Sequence, residues 1–259
     1  MGSAVGDNPG PLTLDGTRTY RIGVGQAVLL DPGPDLPGQI ERLRELVGRA
    51  AIEWVCLTHG HPDHAALARA ACEAFGAPLA AAAEALARLG LDGRTLSDGD
   101  RLEIDGGAAW LDVVETPGHS PDSLSFFLRP VGWMFTGDTV LGEGSTLVAH
   151  PDGRMSSYLA SLARLISLRP SRLLPGHGEP VEEAVPRLEA YRRHRLDRER
   201  QIRVALADGA ASLQDIRERV YPDLPAGLES AAESSIRAHL AHLEEQGLPY
   251  GAPMEREEP

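Results

Sequence analysis

Residues 59–64 read His-Gly-His-Pro-Asp-His, three imidazoles and a carboxylate within six positions. The spacing H-x-H-x-D-H suits a hydrophobic core poorly and two adjacent divalent cations well. An apolar run at 54–57 precedes it and predicts a buried strand ending at Thr58. The Ala-rich stretch 65–75 predicts a helix. The cluster is therefore expected in a strand-to-helix loop, where side chains converge without disturbing a sheet. A histidine-rich surface turn would use the same residues without metal, yet the chain has nine His in all and concentrates three of them here.

A metal pair needs more ligands than one loop supplies. His119 lies in Glu-Thr-Pro-Gly-His-Ser, after the strand-like run 110–114. Asp138 lies in Met-Phe-Thr-Gly-Asp-Thr and His177 in Leu-Leu-Pro-Gly-His-Gly, each after another apolar run. In all three an extended segment ends, a Gly allows a tight turn, and a ligand-type side chain follows. That order predicts ligands on loops along one edge of a sheet scaffold. Singly, His119 or His177 reads as an ordinary loop histidine; beside the hexapeptide both read as ligands.

Together these residues resemble the metallo-β-lactamase superfamily. The resemblance implies an α+β fold, the αββα sandwich, with His59, His61 and His119 on a first metal. It implies Asp63, His64 and His177 on a second, and Asp138 bridging the two, where some members carry Cys. Asn8-Pro-Gly-Pro-Leu-Thr-Leu, Leu29-Leu-Asp-Pro-Gly and Gly142-Glu-Gly-Ser-Thr match as well. So do Tyr191-Arg-Arg-His-Arg and Arg200-Gln-Ile, which resemble the β-lactamase-like group with a small C-terminal winged-helix-like domain, a group that includes an endoribonuclease. Arg18, in Gly-Thr-Arg-Thr-Tyr, departs from the Asn of relatives, and His150 matches no ligand position.

Helical spacing at 39–51, 155–166 and 229–246 alternates with strand signals at 12–31, 101–104, 108–114, 124–128, 132–135 and 172–174. From about 180 the strand signals fade. Residues 182–207 predict a long helix broken or kinked near Pro186, and Ser212 predicts an N-cap with Asp215 three residues on. These readings divide the chain into a catalytic domain at 1–180, a linking helix at 181–207 and a small winged-helix-like unit at 208–259, whose tail from 255 is expected to be disordered.

Composition narrows the function. A formal charge of −13 argues against a broad basic surface for nucleic acid, so duplex DNA is not an expected partner. The Arg-rich stretch 187–203 is interleaved with Glu189, Asp197 and Glu199 and reads as a solvated, salt-laced helix. No run is apolar enough to span a bilayer, the opening residues lack a signal-peptide pattern, and Cys56 and Cys72 read as reduced packing residues; a cytoplasmic protein is expected.

The donor set suits two zinc ions, with Mn²⁺ or Fe²⁺ as alternatives. A metal-bridging hydroxide would be the nucleophile, with Asp63 and Asp138 orienting it and one of them shuttling a proton. The resemblance points to single-stranded RNA as substrate. The acidic balance and an aromatic content of only 5% point instead to a small acyl substrate such as a thioester. A DNA-binding regulator with a vestigial metal fold would be expected to have lost ligands, and all seven are present. Oligomeric state is left open.

Overall fold

The computed structural model describes residues 1–248. The first half of the chain builds β1 (Gly2–Val5), β2 (Arg18–Ile22), β3 (Gln26–Leu30), α1 (Gln39–Val47), β4 (Ala51–Cys56), α2 (Pro62–Ala65), α3 (Ala68–Phe75), β5 (Leu79–Ala81), α4 (Ala83–Leu89) and β6 (Arg94–Thr95). Its six strands lie side by side in chain order, antiparallel from β1 to β3 and parallel from β3 to β6. The second half contributes β7 (Arg101–Ile104), β8 (Ala109–Glu115), β9 (Leu124–Leu128), β10 (Trp133–Gly137), α5 (Met155–Leu168) and β11 (Arg172–Pro175). These five strands order as β11-β10-β9-β8-β7, with only β10 and β11 parallel.

The two sheets close on one apolar core. Ile22, Val28, Leu30 and Val55 of the first sheet join Leu102, Leu111, Val113, Phe126 and Phe135 of the second. Tyr20 meets Phe135 edge-on across the seam, with ring centroids 5.1 Å apart. Helices α1 and α3 cover the outer face of the first sheet. On the second sheet, Met155, Tyr158, Leu162 and Leu165 of α5 pack with Val114, Phe127, Met134 and Leu173. This is the expected αββα sandwich.

After β11 the chain forms α6 (Ala184–Ala207), α7 (Leu213–Val220) and α8 (Glu229–Glu245). A separate small core of Ile202, Ile216, Val220, Ile236, Leu240 and Leu243 joins them. Ser212 caps α7 as expected, its Oγ accepting the Asp215 N–H at 3.1 Å. Among the described residues this unit contains no strand, and the expectation of a disordered tail from 255 lies outside them.

Several expectations need correction. Helix α6 runs unbroken through Pro186, because the residue is its third and needs no intrahelical N–H partner there. Helix α1 stops at Val47, where Gly48 takes φ 60, and Ala51 opens β4 instead. The helix expected over 65–75 is two pieces, and the earlier piece starts inside the hexapeptide at Pro62. Strand β1, Gly-Ser-Ala-Val, is too short and its residues too small to show an apolar alternation. Nor is α6 solvated all round: Leu188, Tyr191, Arg195, Glu199 and Ile202 form a buried stripe.

Candidate metal centre

All seven expected residues meet at one end of the sandwich. His59 follows β4, His61 opens α2, and Asp63 and His64 lie within it. His119 lies between β8 and β9, Asp138 directly follows β10, and His177 follows β11. Two groups form, His59–His61–His119 and Asp63–His64–Asp138–His177. In the first, His61 Nδ1 is 3.0 Å from both His59 Nε2 and His119 Nε2. In the second, His64 Nε2 and His177 Nε2 are 3.3 Å apart, and Asp63 Oδ2 is 3.2 Å from His177 Nε2. Asp138 belongs to both neighbourhoods: Oδ1 is 3.2 Å from His64 Nε2, and Oδ2 is 3.7 Å from His119 Nε2.

Each of four imidazoles is aimed by a partner on its Nδ1. That of His59 meets Thr58 Oγ1 at 3.0 Å, that of His119 meets the Leu147 carbonyl at 2.8 Å, and that of His177 meets the Gly16 carbonyl at 3.1 Å. His64 Nδ1 lies 2.9 Å from Asp31 Oδ2. Asp31 also accepts the Thr58 N–H and hydroxyl, at 2.7 and 2.8 Å, from a left-handed backbone conformation (φ 53) at the end of β3. Gly176 is obligatory here, since a Cβ would sit 2.5 Å from His64 Cε1 and 2.7 Å from Asp138 Oδ1.

Charge within the site fits cation binding. Burial pushes the Asp138 carboxyl up, but His64 and His177 outweigh it and hold the group well below the usual range. Burial lowers His177, and Asp138 and Asp63 more than reverse this, raising it to about 9. His64 is raised against its own burial, first by Asp138 and then by Asp31. The second group thus draws positive charge inward, a demand that a divalent ion meets. In the first group burial dominates and lowers His59 and His119, favouring the neutral, ligating form. Donor separations of 3.0–3.3 Å also agree with the roughly 3.3 Å between ligands at tetrahedral bond lengths of about 2.0–2.1 Å. Asp138 Oδ1 is buried and makes no hydrogen bond, as a metal ligand would be.

Residues 12–177 match the metallo-beta-lactamase superfamily model. The chain belongs to that superfamily. Residues 212–248 match the beta-lactamase associated winged helix domain. A "Beta-lactamase-like protein 2 homolog" of Drosophila melanogaster is 31% identical, over 94% of this chain and 87% of its own length. An "Atrochrysone carboxyl ACP thioesterase" of Aspergillus fumigatus is 32% identical over 86% of this chain and 73% of its own. A metallo-beta-lactamase family protein of Thermus thermophilus superposes with a TM-score of 0.77, 25% identity and coverage of 95% and 94% of the two chains. A solved structure in a di-iron-bound form gives a TM-score of 0.55 and 28% identity over 68% of this chain and 93% of its own.

Arg18 is a buried clamp. Its Nε donates to the Gly178 carbonyl at 2.5 Å, and its Nη2 pairs with Asp15 at 2.7 Å and with Glu179. It thereby ties β2 to the loop carrying His177. A comparable brace holds the loop after Asp138. Arg187 donates to the Leu141 and Gly144 carbonyls, the Tyr191 hydroxyl accepts the Leu141 N–H, and Arg195 donates to the Thr146 carbonyl. The Leu147 carbonyl that aims His119 comes next. His150 is in neither ligand group, and its backbone N–H donates to the Ser234 carbonyl in α8 at 3.3 Å. Sequence reading passed over Asp31, Thr58 and Asp152; for Asp31 a signal existed, an Asp at a strand end like Asp138.

Proposed function

We propose that this protein is a two-metal hydrolase acting on a small acyl substrate, with a thioester as the preferred class. His59, His61 and His119 would hold one ion, Asp63, His64 and His177 the other, and Asp138 both; the reading rests on the Asp138 carboxylate, which reaches from one group to the other. Bound ions would supply an activated water at neutral pH and polarise the carbonyl oxygen. Zinc suits the imidazole and carboxylate donors, with iron as the alternative. Asp63 is the more exposed carboxylate, and His177 and His64 hold it ionised despite its burial. In this reading Asp63 would take the proton of the attacking water and pass it to the departing thiolate. Asp138 orients the imidazoles about it.

The thioester reading is supported by the thioesterase relative and by the charge of −13. Among the described residues of the C-terminal unit, Arg217 pairs with Glu233 and Arg219 donates to the Ala205 and Asp208 carbonyls, while Arg198 of α6 donates to the Val220 carbonyl. That argues for a bracing role and against duplex DNA binding. Among the described residues no helix is long and apolar enough to cross a membrane. We keep the division at 180 and 207, and a cytoplasmic setting for the free thiols Cys56 and Cys72, as part of this reading.

The test is thiol release from an N-acetylcysteamine thioester by zinc- or iron-loaded protein, beside Asp138→Asn and beside labelled single-stranded RNA. Thiol release that disappears in Asp138→Asn, with RNA left intact, is the expected result. RNA cleavage without thiol release would replace the substrate class, and neither activity with either metal would sink the hydrolase reading.

A further inference from the structure

Four of the five imidazoles in the metal centre present Nε2 inward and anchor Nδ1 on a buried or backbone group. His61 is reversed. Its Nδ1 faces His59 and His119, its Nε2 points outward, and its side chain is 28% exposed. That outward nitrogen lies 3.1 Å from Asp152 Oδ2, on the loop between β10 and α5. A carboxylate in this position fixes the tautomer with the lone pair on the ligating nitrogen, orients the ring and raises its basicity.

Asp152 is itself exposed and needs a tether, which Arg88 provides from α4. The Nη2 of Arg88 donates to Asp152 Oδ1 at 2.8 Å, and its Nη1 lies 3.4 Å from Oδ2. The Arg88 stem packs over Gly60, between the two ligating His: its Cδ lies 3.3 Å from where a Gly60 Cβ would stand. An exposed ion pair contributes little to folding stability. This one joins two separate elements over the most solvent-accessible imidazole of the centre.

We propose that Asp152 is the positioning residue for His61 and that Arg88 holds it there, so that ion retention in the first group depends on this pair. The inference rests on the two-metal reading above. The test measures metal content of the full-length protein after dialysis against graded chelator, together with the visible spectrum of cobalt-loaded protein. Wild type should retain two ions. Asp152→Ala should release one of them at chelator levels about 10- to 100-fold lower and alter half of the cobalt signal. Asp152→Asn should fall between, because its amide oxygen still accepts the His61 N–H. Arg88→Ala should have a smaller effect, absent in the Asp152→Ala background. Thermal midpoints of the metal-free proteins should coincide. Asp152→Ala that keeps both ions along the wild-type curve would overturn the proposal alone, as would a lowered metal-free midpoint that accounts for the loss. Wild type that takes up no metal would instead remove the two-metal reading beneath it.

Discussion

Replacing Arg18 by Met keeps most of the aliphatic stem and removes the guanidinium that joins β2 to the His177 loop. The Gly178 carbonyl then loses a charge-assisted donor, a change of about 1.5–3 kcal/mol. The partners Asp15 and Glu179 are 42% and 80% exposed, so each pair adds only about 0–1 kcal/mol. The expected destabilisation is therefore about 1.5–5 kcal/mol, dominated by one backbone contact. Urea unfolding of metal-free wild type and Arg18→Met, compared at equal slope, measures it. Glu179→Ala alone should change stability by under about 1 kcal/mol, which separates the carbonyl contact from the ion pairs. A loss below about 0.5 kcal/mol in Arg18→Met, no more than an ordinary surface substitution gives, would refute the claim that this side chain clamps the loop.

Gly118→Ala should perturb the His119 loop, because its Cβ would fall 2.3 Å from Tyr158 Cα at a backbone φ of +138; reduced metal content and a lowered thermal midpoint are expected, and a variant matching wild type in both would count against the packing argument. Burial pushes Asp112 up, but Arg129 and Arg101 more than compensate and hold its carboxyl low. Its stabilising contribution is thus present above the ordinary carboxylate value of about 3.9 and disappears as pH falls through the lower folded value. The stability gap between wild type and Asp112→Asn should be widest near neutral pH and close in acid, and a gap independent of pH would exclude the charge as its source.

The metal centre was legible because its chemistry is concentrated. Four candidate ligands lie within six residues, and His119, Asp138 and His177 each follow a Gly at the end of an apolar run. The strands between 109 and 137 were legible because both of their faces are buried, Val113, Phe126 and Phe135 in the intersheet core and Val114, Phe127 and Met134 under α5, whereas β7 shows as simple alternation. What stayed hidden depends on distant partners. Asp152 gains its meaning from His61, 91 residues earlier, and nothing in its local sequence marks it. Asp31 reads as the start of a Pro-Gly turn until His64 folds against it. Arg195 and Glu199 look like members of a solvated charge pattern, whereas α8 packs over them and makes that face interior.

Neither ligand group can be assembled by one half of the chain. The first takes His59 and His61 from one sheet's loops and His119 from the other's; the second takes Asp63 and His64 from one and Asp138 and His177 from the other. An ion in either group is a clasp between the two sheets, and by linkage its retention rises and falls with their docking. During synthesis the hexapeptide emerges well before His119, Asp138 and His177, so neither group is complete until the second sheet has docked. Damage at the Tyr20–Phe135 seam would then loosen the hold on an ion while leaving every candidate ligand intact.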